Sequence, residues 1–195
     1  MNYGVNNTLG KISTEETFRI LDFALSKGID TIETAEDYGD ALGVIGEYHK
    51  YKGRHFDIIL KSNLNKDLNF DIKERIQSFT KLLSVNKLNS FLFHSYESLK
   101  RNEKALDDLV RLKNTKEIEK IGVSVYNNEE LEESLLYGDL DIIQIPFNLL
   151  DNYSKRGRLI ELANYKNKTV HVRSAFLQGL FFMDNMSCLL YTSPS

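Results

Sequence analysis

Short apolar runs alternate with longer stretches of helical period along this chain, the pattern of repeated βα units. Ser13-Thr14-Glu15-Glu16 fits a helix cap, with Glu16 three residues beyond Ser13. Phe18, Leu21, Phe23, Ala24 and Leu25 then give an apolar face until Gly28 stops the helix. A strand over Ile29–Glu33 follows, then a polar turn holding Tyr38 and Gly39 and a helix through Leu42, Ile45 and Tyr48. Phe56–Leu60 predicts the second strand, ending in Lys61, and Asp71 opens a helix carrying Ile72, Ile76, Phe79, Leu82 and Leu83. Leu88–Phe93 is a third strand, closed by His94, and a helix follows over Asn102–Leu112. Ile118–Val125 is the fourth strand, and Asn128 or its neighbour caps a helix through Leu131 and Leu135. The fifth strand, Leu140–Ile145, stops at Pro146, which suits a strand end. A helix over Arg158–Tyr165 and a strand over Thr169–Val172 complete six strands and six helices. Phe181–Ser195 shows no strand-helix repeat, so residues 1–182 read as one domain and 183–195 as a tail.

Composition narrows the class. The 195 residues carry 25 Lys+Arg against 28 Asp+Glu, a net charge of -3 with no basic block, which argues against nucleic acid and anionic membranes as partners. No apolar run approaches the roughly 18 residues of a membrane span. The single Cys188 excludes an internal disulfide and a multi-cysteine metal site, and no other metal set stands out. With no signal peptide after Met1, the expected compartment is the cytoplasm.

Length alone favours an open doubly wound sheet, because a (β/α)₈ barrel takes about 250 residues. The polar residues argue the other way. Glu33, Lys61, His94, Ser124, Gln144 and Arg173 fall at or just past the ends of successive strands, and strand after strand would deliver them to one face, as at the active-site face of a barrel. Lys61 also reads as the start of a solvated loop, His94 as a packed or capping histidine, and Tyr38 is one of ten tyrosines. Together they offer more. An ammonium beside a phenol stabilises the phenolate and makes the tyrosine a better acid toward a carbonyl oxygen. Glu33 is a partner for Lys61, and His94 can orient a substrate and stabilise developing negative charge. Such a set needs a hydride from outside the protein, as from a nicotinamide. No phosphate-binding glycine loop competes, and His49 and His55 read as residues of a solvated turn.

Gly28-Ile29-Asp30-Thr31-Ile32-Glu33-Thr34-Ala35-Glu36-Asp37-Tyr38-Gly39 resembles the stretch G-I-x-x-x-D-T-A-x-x-Y-G of the aldo-keto reductase superfamily. Ile121-Gly122-Val123-Ser124 and Gln144–Asn148 resemble that family's I-G-V-S and Q-x-x-x-N. The resemblance runs from near residue 3 to about residue 182. It implies a catalytic tetrad of Glu33, Tyr38, Lys61 and His94, with Ser124, Gln144 and Arg173 at the nicotinamide of NADPH, or of NADH as the alternative. The implied reaction is reduction of a small aldehyde or ketone, and Arg173–Gly179 resembles a bacterial branch tied to sugar chemistry. Three positions depart from the pattern: Glu33 stands for an aspartate one methylene shorter, Val125 for an asparagine, and Arg173 for a stacking aromatic. The implied fold is an incomplete (β/α)₈ barrel whose six strands are family strands two to seven. It lacks the first strand and the region after strand seven, where the family holds the cofactor's phosphate. Open sheet edges point to self-association, and an inactive, truncated barrel acting as a binding or oligomerising protein is the alternative to an enzyme. A third reading makes Lys61 the Schiff-base lysine of an aldolase-like barrel.

Overall fold

The computed structural model describes residues 10–64 and 71–182. The stretch 183–195, read as a tail, and the first nine residues lie outside the described residues.

Helix α1 (Thr14–Ser26) begins at the expected cap, the Ser13 hydroxyl accepting from the Glu16 N–H. Beyond it the Ile29 N–H returns to the Ala24 carbonyl at 3.0 Å. That amide is thus spent on ending the helix, and β1 (Thr31–Ala35) starts two residues later than the apolar run implied. The alternation of strand and helix then proceeds through α2 (Ala41–Lys52), β2 (Asp57–Ser62), α3 (Ile72–Leu83), capped by Asp71, and β3 (Leu88–Phe93). Two helices follow β3 where one was expected. Ser95 caps a short α4 (Tyr96–Arg101), and Asn102 divides it from α5 (Glu103–Asn114). After β4 (Ile118–Ser124) come α6 (Asn128–Ser134), capped by Asn127, β5 (Ile142–Pro146), α7 (Tyr153–Tyr165), β6 (Thr169–Arg173) and a 3₁₀ turn over Leu177–Phe182. Helix α7 starts five residues before the apolar periodicity does, because Asn152 caps it and buried Arg156 is held by Asp151 at 2.6 Å.

The six strands are all parallel and lie in the order β1-β2-β3-β4-β5-β6. Among the described residues β1 pairs only with β2 and β6 only with β5, so the sheet is an open, incomplete barrel. Its two faces differ in kind. On the outer face Ile58, Leu60, Phe91, Phe93, Ile121, Val123, Ile143 and Ile145 pack against helix residues such as Leu83, Leu109, Leu131 and Ala163 in one continuous core. At about 25 cal/mol per Å² removed from water, this layer is the main source of stability. Tyr48 and His49 of α2 belong to the same layer. Far from a solvated turn, His49 is 1% exposed: its Nδ1 meets the Leu83 carbonyl at 2.7 Å and its Nε2 accepts from the Phe56 N–H at 3.1 Å. His55 is exposed, as expected.

The inner face has one small apolar cluster, Ile59, Leu92 and Ile142. Register explains it: Ala35, Lys61, Leu92, Gly122, Ile142 and Thr169 stand side by side across the sheet, one from each strand. Gly122 lets its neighbours close in, since a Cβ there would lie 2.6 Å from the Ile142 carbonyl oxygen and 3.0 Å from Leu92 Cγ.

Candidate active site

Parallel strands with a two-residue side-chain period bring the same positions of each strand to one rim. Lys61 is the fifth residue of six in β2, His94 follows β3 directly, Ser124 ends β4, and Arg173 ends β6. Glu33 sits one step deeper, in the middle of β1, while Gln144 of β5 is level with Ser124.

Tyr38 comes from the turn between β1 and α2. Its N–H bonds to the Ala35 carbonyl at 3.0 Å, and Gly39, at φ 61, takes a left-handed conformation that suits glycine. The turn is latched to β2: the Glu36 N–H reaches the Lys61 carbonyl at 2.9 Å, and the Glu36 carboxylate takes the Ser62 hydroxyl at 2.7 Å and the Arg75 guanidinium. The Tyr38 ring is thereby held with the Lys61 ammonium 5.4 Å from its centroid and the His94 ring edge-on at 6.2 Å.

Lys61 is 3% exposed, and a lysine so buried needs partners. Its Nζ lies 2.7 Å from Glu33 Oε1 and donates to Gln144 Oε1 at 3.2 Å, while Gln144 Nε2 donates to Glu33 Oε2. The longer carboxylate at position 33 therefore does reach the lysine. His94 is held below its ordinary basicity by burial first and by the Lys61 charge second, against an opposing pull from Asp37. Its Nδ1 lies 3.6 Å from Asp37 Oδ2, beyond hydrogen-bond reach, so this buried nitrogen has no hydrogen-bond partner among the described residues.

Ser124 and Gln144 are register partners, which sets a hydroxyl beside a carboxamide. This pair of donors and acceptors is of a kind that suits a carboxamide such as that of a nicotinamide, although each side chain already has a partner within the protein. Arg173 closes the row. Its Nε donates to Ser124 Oγ at 3.2 Å and one Nη to the Val125 carbonyl at 3.1 Å, and its guanidinium stacks on Tyr126 at 4.4 Å. One guanidinium face is thus already used by the protein, which the sequence did not foretell.

Three contributors escaped the sequence reading. Glu36 and Asp37, inside the turn motif itself, brace Ser62 and face His94. His171, in register with Gln144, is made less basic by burial, against the nearby Glu33 charge. Its signal was parity, since it lies two residues before Arg173 on an inward-facing strand. A cavity of about 820 Å³ against Asp71–Lys73 and the length of α5 shares no residue with this cluster. A smaller one of about 270 Å³ lies at the opposite ends of β2 and β3. No group of three or more His, Cys, Asp or Glu among the described residues is placed to hold a metal ion, and no described helix is long and apolar enough to cross a membrane.

A partly closed parallel barrel with an ion-paired lysine, a tyrosine and a histidine at the rim of its strands defines the class of barrel proteins with a site at the C-terminal strand ends. The model of the aldo/keto reductase family matches residues 1–187, and the chain belongs to that family. Among solved structures, an aldo-keto reductase from Bacillus halodurans in its holo form superposes with a TM-score of 0.73 at 18% identity, over 86% of this chain and 60% of that one. A glycerol dehydrogenase from Gluconobacter oxydans gives 0.73 at 21%, over 93% and 59%. A Pseudomonas aeruginosa protein assigned to the aldo-keto reductases gives 0.71 at 22%, over 87% and 70%. At these identities the likeness carries the fold, and the chain spans 59% to 70% of the length of these three structures. No curated protein matches it.

Proposed function

We propose that this chain reduces the carbonyl of a small aldehyde or ketone, of sugar-related class, to an alcohol. NADPH, with NADH as the alternative, supplies the hydride to the carbonyl carbon when bound. Tyr38 gives the carbonyl oxygen its proton, so hydride and proton together make the C–H and O–H of the product. Lys61 stabilises the oxygen that Tyr38 uncovers, Glu33 holds Lys61, and His94 orients the carbonyl. Ser124 and Gln144 would hold the nicotinamide carboxamide, with Arg173 flanking the ring. The observation that carries this reading is the Glu33–Lys61 pair at 2.7 Å, set against the Tyr38 ring with His94 edge-on to it. Engagement of Lys61 by both Glu33 and Gln144 argues against a Schiff-base lysine, which needs a free amine. The family relationship also supports an enzyme of small molecules, and the charge balance argues against nucleic acid as a partner.

The test is single-turnover oxidation of NADPH with a panel of aldehydes and sugar-like ketones. Tyr38→Phe should slow turnover by about 10²–10⁴-fold while leaving cofactor affinity unchanged. Equal rates for the variant and the wild type would sink the mechanism.

One observation favours a second reading, a non-catalytic chain that self-associates. The outer strands each have one partner among the described residues, and Ile29 and Val172 near them are 57% and 55% exposed. Concentration-dependent mass by light scattering, with no NADPH binding, would select this reading. A monomer that turns over a carbonyl would eliminate it.

A further inference from the structure

Gln144 is fully buried, and its side chain works across the inner face of the sheet. Strand β5 stands three strands from β2 and four from β1, yet the Gln144 carboxamide meets both Lys61 and Glu33. The three side chains close a triangle: Lys61 to Glu33 Oε1, Glu33 Oε2 to Gln144 Nε2, and Gln144 Oε1 to Lys61. Each carboxylate oxygen takes a different partner, which the reach of a glutamate permits.

A protonated lysine has three N–H donors, and the triangle uses two of them. The third remains, on an ammonium that sits against the Tyr38 ring. A carboxylate alone would leave the ammonium free to turn about its Cε–Nζ bond. A second acceptor, held on another strand, fixes that rotation. We propose that Gln144 is a positioning residue, one that sets the Lys61 ammonium so that its remaining N–H faces Tyr38. This rests on the reductase reading above but assigns Gln144 a task separate from any contact with a cofactor. That task is compatible with such a contact, because the carboxamide keeps one N–H and one lone pair outside the triangle.

The test begins without cofactor. In the chain labelled with ¹³C,¹⁵N-lysine, the Lys61 side-chain signal is assigned by its absence from Lys61→Met. Gln144→Met keeps the length and removes the amide, and it should move the Lys61 signal toward those of the exposed lysines. With saturating NADPH, the same replacement should lower the single-turnover rate about tenfold, the scale of one hydrogen bond to a charged group. In the Lys61→Met background it should cost distinctly less, since any contact with the cofactor is all that remains to be lost. Should Gln144→Met fail to fold, Gln144→Asn, whose amide falls one methylene short, should give the same shift and the same epistasis. An unmoved Lys61 signal, or losses that multiply between the two backgrounds, would overturn the proposal. If Tyr38→Phe turned over like the wild type, the reductase reading would fall, while the Lys61 signal would still decide whether the triangle exists.

Discussion

Phe91 and Leu92 are neighbours on β3 and both are fully buried, yet they belong to different interiors. Phe91 lies in the continuous layer between sheet and helices, edge-on to Phe93 at 6.3 Å. Leu92 faces the inside of the curved sheet, where its buried apolar company is Ile59 and Ile142. The rest of the inner rim is polar: Glu33, Lys61, Ser124, Gln144, His171 and Arg173. The outer layer holds the fold by burial, whereas the inner face is held by polar ties between distant strands. The Gln144–Glu33 bond joins β5 to β1, a tie that ladder pairing does not supply among the described residues. Stability and chemistry are thus separated onto opposite faces of the same strands.

The largest effect should come from cutting the outer layer. Phe91→Ala should cost about 3–5 kcal/mol in denaturant unfolding, the usual range for a buried phenylalanine. Leu92→Ala should cost less, near the lower end of about 2–5 kcal/mol, since the inner face is open enough for its few neighbours to relax. Equal losses, or a larger one at Leu92, would break the distinction between the two interiors.

A smaller effect should appear on acidification. His49, His94 and His171 are all made less basic, in each case chiefly by burial. The native state therefore takes up their protons later than the unfolded chain, in which a histidine titrates near 6.5. Stability should be complete above that pH and fall as pH drops below it, by up to about 1.4 kcal/mol per pH unit for each histidine. His49 should dominate, because its Nε2 already accepts the Phe56 N–H and a proton there would set donor against donor. His55, its neighbour at 5.0 Å between ring centres, adds like-charge repulsion, while the Leu83 carbonyl favours the charged form. His49→Gln should flatten the acid limb of a melting-temperature profile more than His171→Asn does. The reverse order would move the acid sensitivity to the inner face.

The outer layer was also the more legible of the two from sequence. Hydrophobic period located all six strands, because an apolar residue facing a helix is selected for little besides burial, and polar side chains at helix starts marked the caps at Ser13 and Asp71. The misreadings came where a polar or backbone contact overrode the period. Ile29 looks like a strand residue until its amide is spent on α1, and the start of α7 depends on Asn152 and on the Arg156–Asp151 pair rather than on apolar spacing. His49 looks solvated because its two partners, a carbonyl at 83 and an amide at 56, are set by tertiary packing. On the inner face the placement of the polar residues at or near strand ends was legible. Their partners were not. Nothing in the spacing says that Gln144 closes on Glu33 across four strands, or that Arg173 takes Ser124 and stacks on Tyr126.

The smallest expected effect is the most informative about the inner face. Glu33→Asp restores the residue that the family resemblance implies and draws the carboxylate back by about one C–C bond, roughly 1.5 Å. Lys61 is a long, flexible side chain on the adjacent strand and can follow the shorter acid, so the ion pair should survive. Gln144 is short, fully buried and fixed on β5, and cannot follow. The variant should therefore lose the bond between Gln144 Nε2 and position 33 and little else. The stability cost should be about 0.5–1.5 kcal/mol, with carbonyl turnover preserved or raised. A loss of turnover as deep as that of Lys61→Met would mean that the full length of Glu33 is required to keep the lysine in place. No change in either property would reduce Glu33 to a solvated carboxylate, and the polar ties of the inner face would no longer explain how the open sheet is held in its curve.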